Sequence, residues 1–573
     1  MMASTIGEPA VQRFRWDVPD HAPLEHLTGF KGLHPLLVQL LWNRGIQAPD
    51  DVLSFVEGPA QLHSPWAMHG VEQAVARLVR ARDRDETVAV YGDFDVDGVT
   101  STVLLTSCLR LVGLRAEPFV PRRDVEGYGL NSLALERLRN DGATLVVAVD
   151  CGISGSREVA RASELGLDVI VADHHHVPAT LPNAAAVINP KQPGCTYPFK
   201  ELCAVAIAYK LAQALLEHLG VGAARADEWL DLVALGTVAD VVPLVGENRT
   251  LVLRGLPGLN PPTRVGLRAL ARRAGLSAGK IDSRAIAFGL APRLNAAGRL
   301  ADAQISVRLL LAQTETEAEA LAEQLDATNR ERQRLTDEAV VHARESVLGA
   351  PALPKLLLVA SESYPAGVVG LVAARLVEEF WRPALVAEIA DGTARGSGRG
   401  VDGFHIAAAL ARCGDLLLRH GGHARAAGFT LAVENLDTFR QRLQSIADQE
   451  LSEEDLVPRL SVDAELHLNQ FDARLTELLC RLEPFGCGNP NPLFVSRGLR
   501  VAGARVVGRS LPGHLKLKLR QGSTHWDAIG FGMADRLYSL GEVVDVVYTV
   551  ERNEWNGQIS TQLRLRDVRT CLA

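Results

Sequence analysis

Leu167-Asp168-Val169-Ile170-Val171-Ala172-Asp173-His174-His175-His176 is a short apolar run that closes on a carboxylate and three imidazoles. Two earlier apolar runs also end in carboxylates. Thr87-Val88-Ala89-Val90-Tyr91 leads into Gly92-Asp93-Phe94-Asp95-Val96-Asp97-Gly98, and Thr144-Leu145-Val146-Val147-Ala148-Val149 leads into Asp150. Short β-branched runs separated by helix-length segments predict buried parallel strands in an open α/β sheet. Ligands of such sheets lie outside the carboxyl ends of the strands. Three strands therefore deliver carboxylates and imidazoles to one edge, and that edge has the makings of a metal site.

The rest of the chain sets bounds on this reading. At 573 residues it is too long for one core and should hold three or four domains. A net charge of −8 argues against a wholly basic nucleic-acid coat but leaves room for a local basic channel. No stretch reaches the ~18 apolar residues of a membrane span, and the N-terminus lacks the pattern of a signal peptide. The eight cysteines are scattered with no Cys-x-x-Cys pair, as expected of reduced thiols in a cytoplasmic protein.

Residues 1–74, rich in Pro, His and Leu, read as an irregular accessory lobe. Strand–helix alternation over 75–250 predicts the parallel-sheet domain, and 251–350 a helical connector. The connector ends in a long helix over Glu315–Val347, with Leu321, Leu325, Leu335 and Ala339 at helical spacing. A second α/β domain is expected over 351–450, starting at Lys355–Ala360. The acidic stretch Asp448–Asp455 and Pro458 mark a linker, and alternating runs over 458–573 predict a small antiparallel barrel.

The Asp-x-Asp-x-Asp-Gly stretch at 93–98 is not an EF-hand. Leu104 stands where the loop needs a bidentate Glu, and a strand precedes it instead of a helix. A carboxylate cluster at a strand-to-helix turn remains, against the competing reading of aspartates that merely cap a helix. Asp150 and His174 join the cluster at neighbouring strand ends, and Asp240 follows the helical run Leu230–Val238. Oxygen and imidazole donors without thiolate suit Mn²⁺, with Mg²⁺ as substitute. So many acids exceed the needs of one tetrahedral ion. They suit two ions about 3.5–4 Å apart, the arrangement used for in-line phosphoryl displacement.

In this order, Asp-x-Asp-x-Asp-Gly, a lone strand-end Asp, Asp173-His174-His175 and Ala239-Asp240-Val241-Val242-Pro243-Leu244 resemble the DHH phosphoesterases. Gly421-Gly422-His423 resembles the hallmark of their associated C-terminal domain. Ala291–Leu300 and Pro484–Phe494 resemble the branch of that superfamily that degrades single-stranded DNA. The resemblance implies a DHH domain, a long connecting helix, a DHH-associated α/β domain and a C-terminal OB-fold. It also implies a 5′→3′ exonuclease releasing nucleoside 5′-monophosphates in DNA repair and recombination. Its substrate would be single-stranded DNA, with a helicase and a single-strand-binding protein as candidate partners; a monomer is the default expectation.

Carried over by position, the metal ligands are Asp95, Asp97, Asp150, His174 and Asp240, with His175 catalytic and Asp173 beside it. Tyr91 stands where some relatives carry a histidine, so Asp93 is expected to supply the missing ligand. Pro365 replaces a histidine usual in this branch. A small-substrate phosphodiesterase would lack the barrel, and a non-catalytic scaffold would have lost acids that are intact here.

On the substrate side, Arg122, Arg123, Arg293 and Arg299 suit bidentate contact with phosphate, the competing reading being ion pairs with nearby acids. Ser397, Arg399 and His423 lie in the Gly-rich segments of the second α/β domain and are expected to meet a phosphate. In the barrel, His514, Lys516, Lys518, Arg520, Trp526 and Trp555 are candidates for tracking and stacking a single strand.

Overall fold

A computed structural model describes residues 14–571 apart from 58–61, 123–126, 128, 278, 472, 509–512 and 556–557. The chain divides into two compact units: residues 53–333 with 482–490, and residues 1–52, 334–481 and 491–573.

The first unit is built on five parallel strands in the order Arg115–Phe119, Thr87–Gly92, Ala143–Val149, Asp168–Ala172, Ala186–Ile188. The near-continuous apolar runs of Thr87–Gly92, Ala143–Val149 and Asp168–Ala172 follow from burial on both faces, whereas the edge strand Arg115–Phe119 exposes Arg115 and Glu117. Val88, Val90, Leu145, Val147 and Ile170 enter one core with the helix Val96–Leu111. Ala89, Tyr91, Val146, Ala148, Val169 and Val171 enter another with the helices Ser132–Asn140 and Ser156–Glu164. Each buried Val, Leu or Ile contributes about 1.5–3 kcal/mol. From Thr87–Gly92 the chain steps outward to Arg115–Phe119, then crosses back to Ala143–Val149 on the other side. That reversal is the topological switch point, where an open α/β sheet opens a ligand crevice at its carboxyl edge. The helix Val71–Asp83 already belongs to this core through Val71, Ala74, Val75 and Leu78.

The second unit holds a five-stranded sheet and a barrel. In the sheet, Leu357–Ser361 runs parallel to Ala384–Ala390; Thr393–Arg399, Ala426–Ala432 and Leu417–Gly422 continue antiparallel. The barrel closes through Phe494–Val507, His514–Gln521, Thr524–Gly530, Gln558–Thr570 and Val543–Trp555 back to Phe494–Val507. The long helix runs Glu315–Leu348, within a residue of the sequence expectation. Leu321 and Leu325 bury in the core of the first unit, Ala339 in that of the second.

The N-terminal segment is more ordered than its composition suggests. It forms helices Leu24–Gly29, Pro35–Asn43 and Pro49–Glu57, two of them starting on the proline that reads as a breaker but suits a first helical turn. Arg15–Asp17 pairs in parallel with Arg459–Ser461, and Trp16 Nε1 donates to Asp567 at 2.9 Å.

Candidate metal centre

Each loop at the switch point is fixed by hydrogen bonds its own residues make. Asp95 caps the helix Val96–Leu111, its Oδ1 accepting from the N–H groups of Asp97 and Gly98 at 3.0 and 3.1 Å. Capping, the competing reading, is thus real but occupies one oxygen. Asp97 is buried, its two oxygens accepting from Ala204 N and Val205 N at 2.7 and 2.8 Å, where the positive end of the helix Ala204–His218 favours a carboxylate. A Cβ on Gly98 would stand 2.5 Å from the Asp93 carbonyl oxygen, so only glycine closes this turn. Asp150 leaves its strand at φ +61°, a conformation that Asp tolerates better than most residues.

Asp173 serves its neighbours. Its Oδ2 accepts from Ile153 N at 3.0 Å; its Oδ1 accepts from His175 N at 3.1 Å and lies 2.7 Å from His175 Nδ1. Tyr91, at the departure from the family pattern, is buried and donates its hydroxyl to Gly129 O at 2.9 Å.

The loops bring three overlapping donor sets together: Asp93, Asp95 and Asp150; Asp97, His174 and Asp240; and Asp150, His174 and His175, each set with donor atoms within 4.8 Å of one another. His174 Nε2 lies 3.2 Å from Asp150 Oδ1, 3.7 Å from Asp240 Oδ2 and 4.0 Å from Asp97 Oδ2. Among the described residues, Asp150 Oδ1, His174 Nε2 and Asp240 Oδ2 are buried with no hydrogen-bond partner. Buried polar atoms left without partners are costly, and a cation among them removes the cost.

The electrostatics agree. Burial, then repulsion from Asp95, pushes Asp97 up to about 7. Burial, then Asp97 and Asp95, pushes Asp240 up to about 9. Asp150 is raised well above the carboxylate range by burial and by Asp95, Asp97, Asp93 and Asp240. Burial, with His175 adding to it, drives His174 down to about 3, which leaves a neutral imidazole able to coordinate. Burial opposes the charge on His175, but the bond to Asp173 prevails and raises it to about 9. The neighbouring thiols of Cys151 and Cys203 are pushed well up, chiefly by burial, so no thiolate competes. Oxygen and imidazole donors alone suit a hard divalent ion such as Mn²⁺ or Mg²⁺.

Other sequence candidates lie as follows. Arg293 Nε is 2.9 Å from Asp326 Oδ1 and its Nη1 donates to Gly289 O, so an acid engages it as the competing reading holds. Arg122 is exposed, Arg299 is half-buried, and Arg123 lies outside the described residues. Ser397 and Arg399 share a face of Thr393–Arg399, with Arg399 Nη1 donating to Ser397 Oγ at 2.7 Å. Both abut Gly370 at the start of the helix Val369–Phe380. His423 is exposed beside the hairpin, its N–H donating to Ala426 O. Tyr364, next to Pro365, is buried with its hydroxyl 2.7 Å from His342 Nδ1.

In the barrel, Leu515, Leu517 and Leu519 are buried while Lys516, Lys518 and Arg520 alternate outward. Trp526 packs edge-on against Phe471 and donates to Leu468 O, and His514 packs against Phe531. The side chain of Trp555 lies outside the described residues.

Two residues escaped the sequence reading. Asn295 Oδ1 accepts from Val96 N at 3.0 Å, and a Cβ on Gly298 would stand 2.4 Å from Phe94 O. The helix Ala291–Leu300 therefore braces the Asp93–Asp97 loop. Both lie in Ala291–Leu300, a segment that carries the family resemblance, but nothing local in it marks a residue that braces a loop two hundred positions away.

A switch-point sheet carrying these aspartates and an Asp-His-His turn defines the DHH class. Residues 87–237 match the DHH family N-terminal domain and residues 354–449 the DHHA1 domain. Residues 462–567 match the RecJ OB domain. The chain belongs to the RecJ family. It is 38% identical to the single-stranded-DNA-specific exonuclease RecJ of Bacillus subtilis, over 97% of this chain and 71% of that protein. The Escherichia coli RecJ is 36% identical over 94% of this chain and 96% of its own length. The crystal structure of Thermus thermophilus RecJ in complex with Mn²⁺ superposes with a TM-score of 0.84 at 31% identity, covering 98% of this chain and 80% of that one. Among the described residues, no helix is long and apolar enough to cross a membrane.

Proposed function

We propose that this chain is a metal-dependent exonuclease that degrades single-stranded DNA 5′→3′ to nucleoside 5′-monophosphates, in DNA repair and recombination. The observation that carries this reading is the convergence of Asp93, Asp95, Asp97, Asp150, His174 and Asp240 at the switch point, where Asp150 Oδ1, His174 Nε2 and Asp240 Oδ2 are buried without a hydrogen-bond partner among the described residues. Asp93, Asp95 and Asp150 would hold one divalent ion, and Asp97, His174 and Asp240 a second; Mn²⁺ is the expected ion and Mg²⁺ its substitute. Bound there, such ions supply positive charge to a phosphodiester and lower the pKa of water.

The chain's own groups do the rest. Release of a 5′-monophosphate breaks the P–O3′ bond, so the leaving 3′ oxygen needs a proton. His175, held by Asp173 and protonated up to about 9, is the residue we assign to hand it over. Ser397, Arg399 and His423 are the proposed phosphate contacts of the DHH-associated domain, supported by the shared face of the first two at a helix N-terminus. Arg122 and Arg123 are proposed contacts of the first domain, and Arg299 of the helical connector. Lys516, Lys518 and Arg520 are proposed to track the backbone of a longer strand. Hydrolysis thus belongs to residues 75–250, the phosphate grip to 351–450 and strand capture to 458–573. We infer a cytoplasmic monomer working with the helicase and single-strand-binding protein that the family resemblance implies.

Digestion of 5′- and 3′-labelled single strands tests this directly. With Mn²⁺, the 5′ label should leave first as a mononucleotide and the 3′-labelled strand should shorten in steps; EDTA should stop both. Release of the 3′ label first would refute the polarity.

A further inference from the structure

Val241, next to the proposed ligand Asp240, holds φ at +62° although it is β-branched and 66% exposed. A β-branched residue is a real outlier there, and such strain persists only where the surroundings over-determine it. An exposed side chain does not hold itself in place. The restraints lie just beyond it, one of them Asn248 Nδ2 donating to Pro243 O at 3.1 Å and the others made by residues 482–490.

Leu244 N donates to Cys487 O at 2.7 Å. A Cβ on Gly488, itself at φ +68°, would stand 2.9 Å from Pro243 Cβ, and one on Gly486 2.7 Å from Leu244 Cδ1. The segment making these contacts is itself locked. Gly486 and Asn489 exchange backbone hydrogen bonds, and Asn489 Nδ2 donates to Leu482 O and Pro484 O. Ser283 Oγ donates to Phe485 O at 2.6 Å, and Arg249 Nη2 donates to Glu483 O at 2.6 Å. Residues 482–490 thus pack as part of the first unit, although the chain before and after them belongs to the second.

We propose that residues 482–490 form a strap that positions the metal centre by holding the Asp240 loop in its strained conformation. The inference rests on Asp240 being a metal ligand. A loop released from the strap spends only part of its time in the ligand-presenting shape, and the apparent metal affinity falls by that fraction.

The test uses the full chain with Mn²⁺ as the probe. Gly488→Val should raise the Mn²⁺ dissociation constant about tenfold or more by calorimetry. It should also speed amide exchange over residues 241–245 in metal-free protein and leave metal-free binding of single-stranded DNA unchanged. Should Gly488→Val fail to fold, Ser283→Ala should show the same pattern more weakly, with Ser283→Thr, which keeps the hydroxyl, restoring it. Faster exchange with unchanged Mn²⁺ affinity would overturn the proposal, and so would unchanged exchange. Asp240→Asn tests the underlying reading separately: full Mn²⁺ affinity in that variant would remove Asp240 from the ligands whatever the strap does.

Discussion

Buried carboxylates that crowd together cannot all ionise near neutral pH, and here Asp97, Asp240 and Asp150 hold protons that ordinary aspartates lose near pH 4. Metal must displace those protons, so binding should release them and strengthen with pH. Mn²⁺ affinity is expected to rise steeply between about pH 6 and 9, with proton release seen as a buffer-dependent calorimetric enthalpy; a flat profile would contradict the raised values of Asp97 and Asp240. The sign for stability is the reverse. A folded pKa above the unfolded one means the contribution is fully present below about pH 4 and lost as pH rises through 7 to 9. Metal-free protein should therefore lose this contribution with rising pH, and Mn²⁺ should restore it. Asp150→Asn removes the cost of keeping a buried carboxyl protonated at a pH where the unfolded chain ionises it, and keeps a residue type that tolerates positive φ. The metal-free variant should melt higher than the parent at pH 8. It should also lose turnover by roughly 10²–10³-fold or more, since a metal interaction is worth several kcal/mol. Near-normal turnover would remove Asp150 from the centre.

At the level of elements, what could be read from the sequence was what is local. Apolar runs that end in acids announce strands and place Asp93–Asp97, Asp150 and His174 at one edge, because period and polarity lie in a few adjacent residues. What could not be read depends on residues far apart along the chain. The bond from Val96 N to Asn295 and the pairing of Arg293 with Asp326 are set by which helices pack together, and no local pattern states that. The richness of residues 1–74 in Pro, His and Leu reads as irregular, yet Pro35 and Pro49 stand at first helical positions, where proline's fixed φ suits a helix. Asn295→Ala should leave the Val96 N–H without its acceptor, at a cost of about 1–3 kcal/mol if water does not replace it. Its melting temperature should fall and its Mn²⁺ requirement rise while DNA binding holds. Unchanged Mn²⁺ dependence would limit the helix Ala291–Leu300 to a structural role.

Over the whole molecule, hydrolysis and strand capture are assigned to different stretches of chain, and only the strap 482–490 mixes them. Deleting everything beyond the linker would remove the barrel and the strap together, so capture is better separated by substitution. Replacing Lys516, Lys518 and Arg520 with Gln keeps the buried Leu515, Leu517 and Leu519 that hold the strand. The triple variant should bind long single strands more weakly, with a salt slope shallower by roughly 0.7 for each phosphate left unneutralised. Very short oligonucleotides should be cut at the parent rate, and an unchanged slope would take the stripe out of DNA binding. The central claim is that the switch-point aspartates and His174 form a two-ion centre. Anomalous diffraction at the manganese edge from Mn²⁺-soaked crystals tests it most directly. Two peaks are predicted, one among Asp93, Asp95 and Asp150 and one among Asp97, His174 and Asp240. No peak there, or peaks only elsewhere, would contradict the account.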